Sequence, residues 1–128
     1  MLSKFSPENE YGITLVSLDD SFRREMEPFS APYDERINAL RSLHEMGCRT
    51  LASIEPYPTP NIIQQDLNKK LDAVSFTDKV IFGRTNYSRR VSAYNEHKKF
   101  YSKCAAEVID YCNENKISYY IKKGTMMQ

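Results

Sequence analysis

Six polar side chains stand where apolar runs end. Ser17, Ser53, Glu55, Arg84, Asn86 and Lys122 each close or directly follow a short β-rich stretch. Hydroxyls, a carboxylate, an amide and two cations gathered at one rim can hold a small polar or anionic molecule. Glu55 precedes Pro56, and a carboxylate that closes an apolar strand needs a partner. Arg84 is the candidate, either as a structural ion pair or as a second ligand contact. No nucleophile stands beside a base in the sequence. There is no GxGxxG, no phosphate loop, no GxSxG elbow and no HExxH. His44 and His97 lack a second ligand at i+4 and are read as surface or satisfied groups. Arg84 to Arg90 mixes basic groups with Tyr87. That run suits phosphate, and it also suits an ordinary helix start.

Elements must place these residues. The run 11–18 is a first strand, and Asp19-Asp20 is a turn signal. Phe22, Met26 and Phe29 mark a short helix or a structured loop. A clear helix runs from Ser30 to Gly47. Pro32 suits its first turn, Asp34 and Glu35 its positive end, and Ile37, Leu40, Leu43 and Met46 form its apolar stripe. Residues 48–55 are a second strand, and Pro56, Pro58 and Pro60 make a stiff, extended loop. Thr59-Pro60 opens a helix with Ile63, Leu67, Leu71 and Val74 as its stripe. Residues 79–84 are a third strand, 90–114 a long helix capped by Asn115, and 117–123 a last strand.

The order is βαβαβαβ, an α/β class with a parallel sheet and right-handed crossovers. It can close as an open doubly wound sheet or as an arc of a (β/α) barrel. Alternation within each strand groups Ile13, Leu15, Ser17 and Asp19 with Leu51, Ser53 and Glu55. To these it adds Val80, Phe82, Arg84 and Asn86, and finally Ser118, Tyr120 and Lys122. This set turns polar toward the C-terminal strand ends, where parallel sheets bind ligands.

Composition limits the rest. The chain has 128 residues, with 18 Lys plus Arg against 17 Asp plus Glu. One domain is expected, 1–128, with 1–10 a flexible N-terminal segment. The charge balance speaks against a strongly basic nucleic-acid binder. No apolar run reaches membrane-spanning length, and the polar N-terminus lacks the apolar middle of a signal peptide. A cytoplasmic protein without membrane partners is expected. Cys48, Cys104 and Cys112 are an odd count without short spacing, so neither a disulfide framework nor a metal motif is read from them.

The phrases around these elements resemble a family. Gly12-Ile13-Thr14-Leu15-Val16-Ser17-Leu18-Asp19 comes first. Met26-Glu27-Pro28 through Pro32 to Arg36-Ile37 follows, with a helix to Gly47. Ser53-Ile54-Glu55-Pro56 and Val80-Ile81-Phe82-Gly83-Arg84 complete the order. Over roughly residues 10–124 the chain resembles the C-terminal half of a radical S-adenosylmethionine (radical SAM) protein, in the subgroup related to spore photoproduct lyase. The resemblance implies a partial (β/α) barrel of six parallel strands. It also implies two cofactors for the parent family, S-adenosylmethionine and a [4Fe–4S] cluster held by a CxxxCxxC loop. Ser17 then matches a ribose or methionine contact, and Ser53 and Glu55 match the strand near the adenosine. Phe82, Gly83 and Arg84 match the segment bordering adenine, and Asn86 follows on the same rim.

The departure is equally specific. No CxxxCxxC is present, and a cluster needs three thiolates brought together. The chain alone is therefore expected to bind neither cofactor productively and to be inactive. Half a barrel leaves sheet edges and a strand face uncovered, so a homo-oligomer formed through them is expected. Two other functions fit the residues. One is a stand-alone α/β module binding a small anionic or nucleoside ligand at the Ser17/Glu55/Arg84 rim. The other is an interaction protein using the Tyr-rich helix 90–114.

Overall fold

The computed structural model describes residues 9–57, 60, 65–84, 97–122 and 125. Its elements are β1 (Glu10–Thr14), α1 (Asp20–Met26), α2 (Tyr33–Glu45) and β2 (Arg49–Tyr57). They continue with α3 (Leu67–Ala73), β3 (Lys79–Arg84), α4 (His97–Glu114) and β4 (Ser118–Ile121). The start of the helix expected from Thr59, with Ile63, and residues 90–96 of the long helix lie outside the described residues.

Local chemistry sets the helix ends. Asp19 caps α1 by accepting from Phe22 N, and Asp66 caps α3 by accepting from Asn68 N and Lys69 N. Gly47 follows α2 with φ +89°, a conformation that glycine adopts without penalty. Asn115 caps α4. Lys116 beyond it takes φ 57°, and Ile117 N reaches back to the Cys112 carbonyl, closing the helix as a Schellman turn. The α2 stripe is shorter than expected. Tyr33, Ile37 and Leu40 are buried, whereas Met46 is exposed.

The four strands form one sheet in the order β1-β2-β3-β4, and every pair is parallel. This order decides between the two closures. Right-handed crossovers between successive neighbours put all the helices on one face, whereas a doubly wound sheet reverses its order at a switch point. The fold is thus a singly wound βα arc. Burial follows the same division. Leu15, Ala52, Ile54, Val80 and Phe82 are wholly or almost wholly buried against helices. The other face has Gly12 and Tyr120 exposed, with Leu51, Ser53, Ile81 and Glu55 partly so.

The register corrects the alternation expected from sequence. Ile13 pairs with Ala52 and Val80 with Ala52, so all three share the helix-covered face. Ser53 pairs with Thr14 and Ile81, and Ile81 with Tyr120. Ile13, Leu15, Val80 and Phe82 therefore do not share a face with Ser53, Glu55 and Tyr120. Alternation gives the two sides of each strand, but only the register says which sides coincide.

Two further differences have local causes. β1 ends at Thr14, although Leu15 N still donates to Ser53 O at 2.8 Å. β2 runs through Pro56 to Tyr57 instead of stopping in a loop. Ile54 pairs with Phe82 and Tyr57 with Arg84, which leaves one extra residue in β2. Such a bulge accommodates proline, which has no N–H to give to the ladder. It also returns Tyr57 to the covered face, where its ring stacks on Phe100 and meets Phe82.

Candidate functional site

The rim begins on the open face with a row across three strands. Glu55 on β2 reaches over Gly83 on β3 to Lys122 just past β4. Its Oε2 lies 3.2 Å from Lys122 Nζ. A Cβ at Gly83 would stand 2.7 Å from that same Oε2 and 3.1 Å from Lys122 Cβ. Gly83 is thus the gap through which the carboxylate crosses. Lys122 is thus a partner of Glu55 that the sequence reading did not offer, and the candidate partner Arg84 has its side chain outside the described residues. Among the expected site residues, Asn86 and the side chain of Arg84 lie outside the described residues.

Ser53 stands on the open face one step below, paired with Thr14 and Ile81. Phe82 goes the other way. Its ring is fully buried in the core with Tyr57, Leu71 and Tyr101, so only its backbone borders the rim. Ser17 lies beyond β1, nearly fully buried, and its Oγ accepts from Asp19 N at 2.9 Å. The structure therefore brings Ser53, Glu55, Gly83 and Lys122 to one face, whereas Ser17 turns into the loop that enters α1.

The phrase Glu27-Pro28 to Arg36 forms a clasp at the end of β1. Tyr33 Oη donates to Glu27 Oε2 at 2.8 Å. Arg36 lies 3.5 Å from the other oxygen of that carboxylate, and its guanidinium covers the Tyr33 ring. Arg36 then donates to the carbonyls of Ala31 and Thr14. The Arg–Glu–Tyr set thus ties the loop before α2 to the last residue of β1. Desolvation and the Glu27 carboxylate both push the Tyr33 hydroxyl well above its usual range.

Three residues near the strand ends were not singled out from sequence. Thr125 is fully buried beyond β4, and its hydroxyl has no hydrogen-bond partner. It hides in Lys122-Lys123-Gly124-Thr125, which reads as a solvated basic end. Gln65 and Lys70 both donate to the Val16 carbonyl past β1, at 3.2 and 2.7 Å. Lys70 had a signal, because it stands three residues after Leu67 and four before Val74, on the buried stripe.

A [4Fe–4S] cluster does not fit the cysteines present. Cys48 is buried at the start of β2, at the end of the strand opposite the rim. Cys104 and Cys112 are buried on the inner side of α4, and burial pushes their thiols up to about 12 and about 11. A thiol so raised resists becoming the thiolate that binds iron. His44 packs edge-on to Phe76 and faces Thr50 Oγ1 at 3.2 Å, at the N-terminal ends of the strands. Among the described residues, no helix is long and apolar enough to cross a membrane.

The chain is similar to an uncharacterized protein of Methanocaldococcus jannaschii, with 36% identity over 56 residues. The match covers 44% of this chain and 21% of that protein. The chain thus corresponds to only a small part of the curated relative it matches. No family model and no solved structure matches it.

Proposed function

We propose that the chain is the C-terminal, cofactor-side portion of a radical SAM iron–sulfur enzyme and that it is inactive alone. The observation that carries this is the strand order. A parallel sheet in the order β1-β2-β3-β4, with its polar row on the face away from the helices, supports an arc of a (β/α) barrel. The clasp built from Glu27, Tyr33 and Arg36 gives the phrase behind the resemblance a defined place at a strand end. Ser53, Glu55 and the Gly83 backbone would face S-adenosylmethionine on the open side. Cluster ligands would come from another polypeptide segment, because the three thiols here are buried in the covered layer.

Two measurements test this. After anaerobic reconstitution with iron and sulfide, the purified chain should retain no stoichiometric cluster, and equilibrium dialysis should show weak or no S-adenosylmethionine binding. Stoichiometric iron and sulfide would overturn the inactive-alone part. Genomic sequence upstream of Met1 tests the parentage, since an in-frame CxxxCxxC there is the expected result.

The open face and both sheet edges also support self-association, half against half. Sedimentation at micromolar concentration should show a dimer, and a monomer throughout would remove this part.

A second reading is favoured by the orphaned Thr125 hydroxyl, on a residue whose amide donates to the Lys122 carbonyl. It makes the rim a stand-alone site for a small anion or nucleoside. A thermal shift with a phosphorylated or nucleoside ligand would support it, and a broad screen without any shift would count against it.

A further inference from the structure

Lys70 belongs to neither the clasp nor the open rim. Its side chain is 1% exposed, on the buried stripe of α3. Its Nζ donates to the Val16 carbonyl at 2.7 Å and stands 4.2 Å from the centre of the Tyr57 ring. No carboxylate among the described residues lies within ion-pair distance of it. Gln65 spends its Nε2 on the same carbonyl, and its Oε1 is buried without a partner. Ser17, Asp19, Gln65, Asp66 and Lys70 are among the residues that line a cavity of about 100 Å³.

We propose that this cavity is a carbonyl site in which Lys70 Nζ forms an imine with a small aldehyde or α-keto acid. The Nζ lone pair attacks the carbonyl carbon, and a C–N bond forms. The carbonyl π pair moves to oxygen, which gains a proton as Nζ loses one, giving a neutral carbinolamine. The C–O bond then breaks, the oxygen leaves as water with a second proton, and Nζ loses its remaining proton as C=N forms. Nothing is oxidised or reduced.

The surroundings suit each stage. Gln65 Oε1 is an unfilled acceptor for the carbinolamine hydroxyl, and the Ser17 hydroxyl keeps its own proton to donate. The cavity is small, which favours a small partner such as glyoxylate or glycolaldehyde. The groups around the amine are the Tyr57 ring from β2, the Cys104 thiol from α4 and Gln65 ahead of α3. Burial pushes the Lys70 ammonium down to about 6, so the amine is free at neutral pH. A lysine of ordinary pKa, near 10.4, is almost wholly protonated there.

The test is reductive trapping on the full chain. Glyoxylate and cyanoborohydride are added at pH 7, and adducts are mapped by peptide mass spectrometry over time. Lys70 should be alkylated at least about ten-fold faster than the average of the other lysines, a small part of its free-amine advantage on the order of a thousand-fold at pH 7, because burial slows access. Lys70→Arg should abolish the fast adduct, and Gln65→Leu should slow it. Unfolding the wild-type chain in urea should erase the preference, a control that needs no folded variant. Adducts spread over surface lysines in the native chain, with Lys70 the slowest, would overturn the proposal and leave Lys70 a structural tether.

Discussion

The two faces of the sheet are built by opposite rules. On the covered face Ile54, Val80 and Phe82 are shut off from water beneath Leu71, Tyr101 and Val108. On the open face Ser53 and Ile81 are half-buried, Tyr120 is 51% exposed, and Glu55 and Lys122 lie across a glycine. The same strands thus carry packing on one side and a row of polar side chains on the other. The lesson is that close packing is confined to one strand side, so substitutions on the two faces should differ in their cost to stability.

The largest effect is expected on the covered face. Phe82→Ala should cost about 3–5 kcal/mol by urea denaturation, because the ring is fully buried and the cavity cannot fill. A loss below about 1 kcal/mol would break the contrast.

Lys70 is the test of that contrast from within the covered layer. Its ammonium is held down to about 6 when folded and returns toward 10.5 when unfolded. The unfolded chain therefore binds more protons between those values, and stability should rise with pH across that window. One proton gives a slope of at most about 1.4 kcal/mol per pH unit. Lys70→Met should flatten the slope between pH 6 and 8.5. Above about pH 9 the sign reverses. Cys104 and Cys112 are raised by burial, so the unfolded thiols ionise first and stability falls. An unchanged slope in the variant would show that Lys70 is not the titrating group.

On the open face the effects shrink. Gly83→Ala should cost about 1 kcal/mol and release the Glu55 carboxylate, which the new methyl group would meet at 2.7 Å. NMR contacts between the Glu55 and Lys122 side chains, present in wild type and lost in the variant, check the release. Glu55→Gln should change stability by less than about 1 kcal/mol, and salt should reduce even that, since Lys122 is half exposed. A loss comparable to that of Phe82→Ala would mean that the Glu55–Lys122 row supports the fold.

Much of this architecture was legible in the residues. The α3 stripe of Leu67, Leu71 and Val74, the bounds of β3 and the glycine after α2 follow from periodicity and backbone preference. The phase between strands was not legible. Polar residues at strand ends suggested one shared side, yet Phe82 and Glu55 stand on opposite sides because hydrogen-bond register, set by non-local pairing, aligns the strands. The bulge at Pro56 was hidden for the same reason, since it exists only relative to β3. Lys122 as the partner of Glu55 depended on a glycine between them, which sequence distance does not reveal.

Strand order also has a consequence in time. Each strand pairs only with its predecessor and successor in the chain, so no strand waits for one further along, although each parallel pairing, such as Glu10 with Arg49, closes a long loop. During synthesis, β1, α2 and β2 can dock before β3 has left the ribosome, and each later unit adds to a finished edge. The 18-residue α4 must be complete before β4 can cover β3. The last edge to close is therefore the one that carries Lys122, and the polar row is finished only once β4 has joined the sheet.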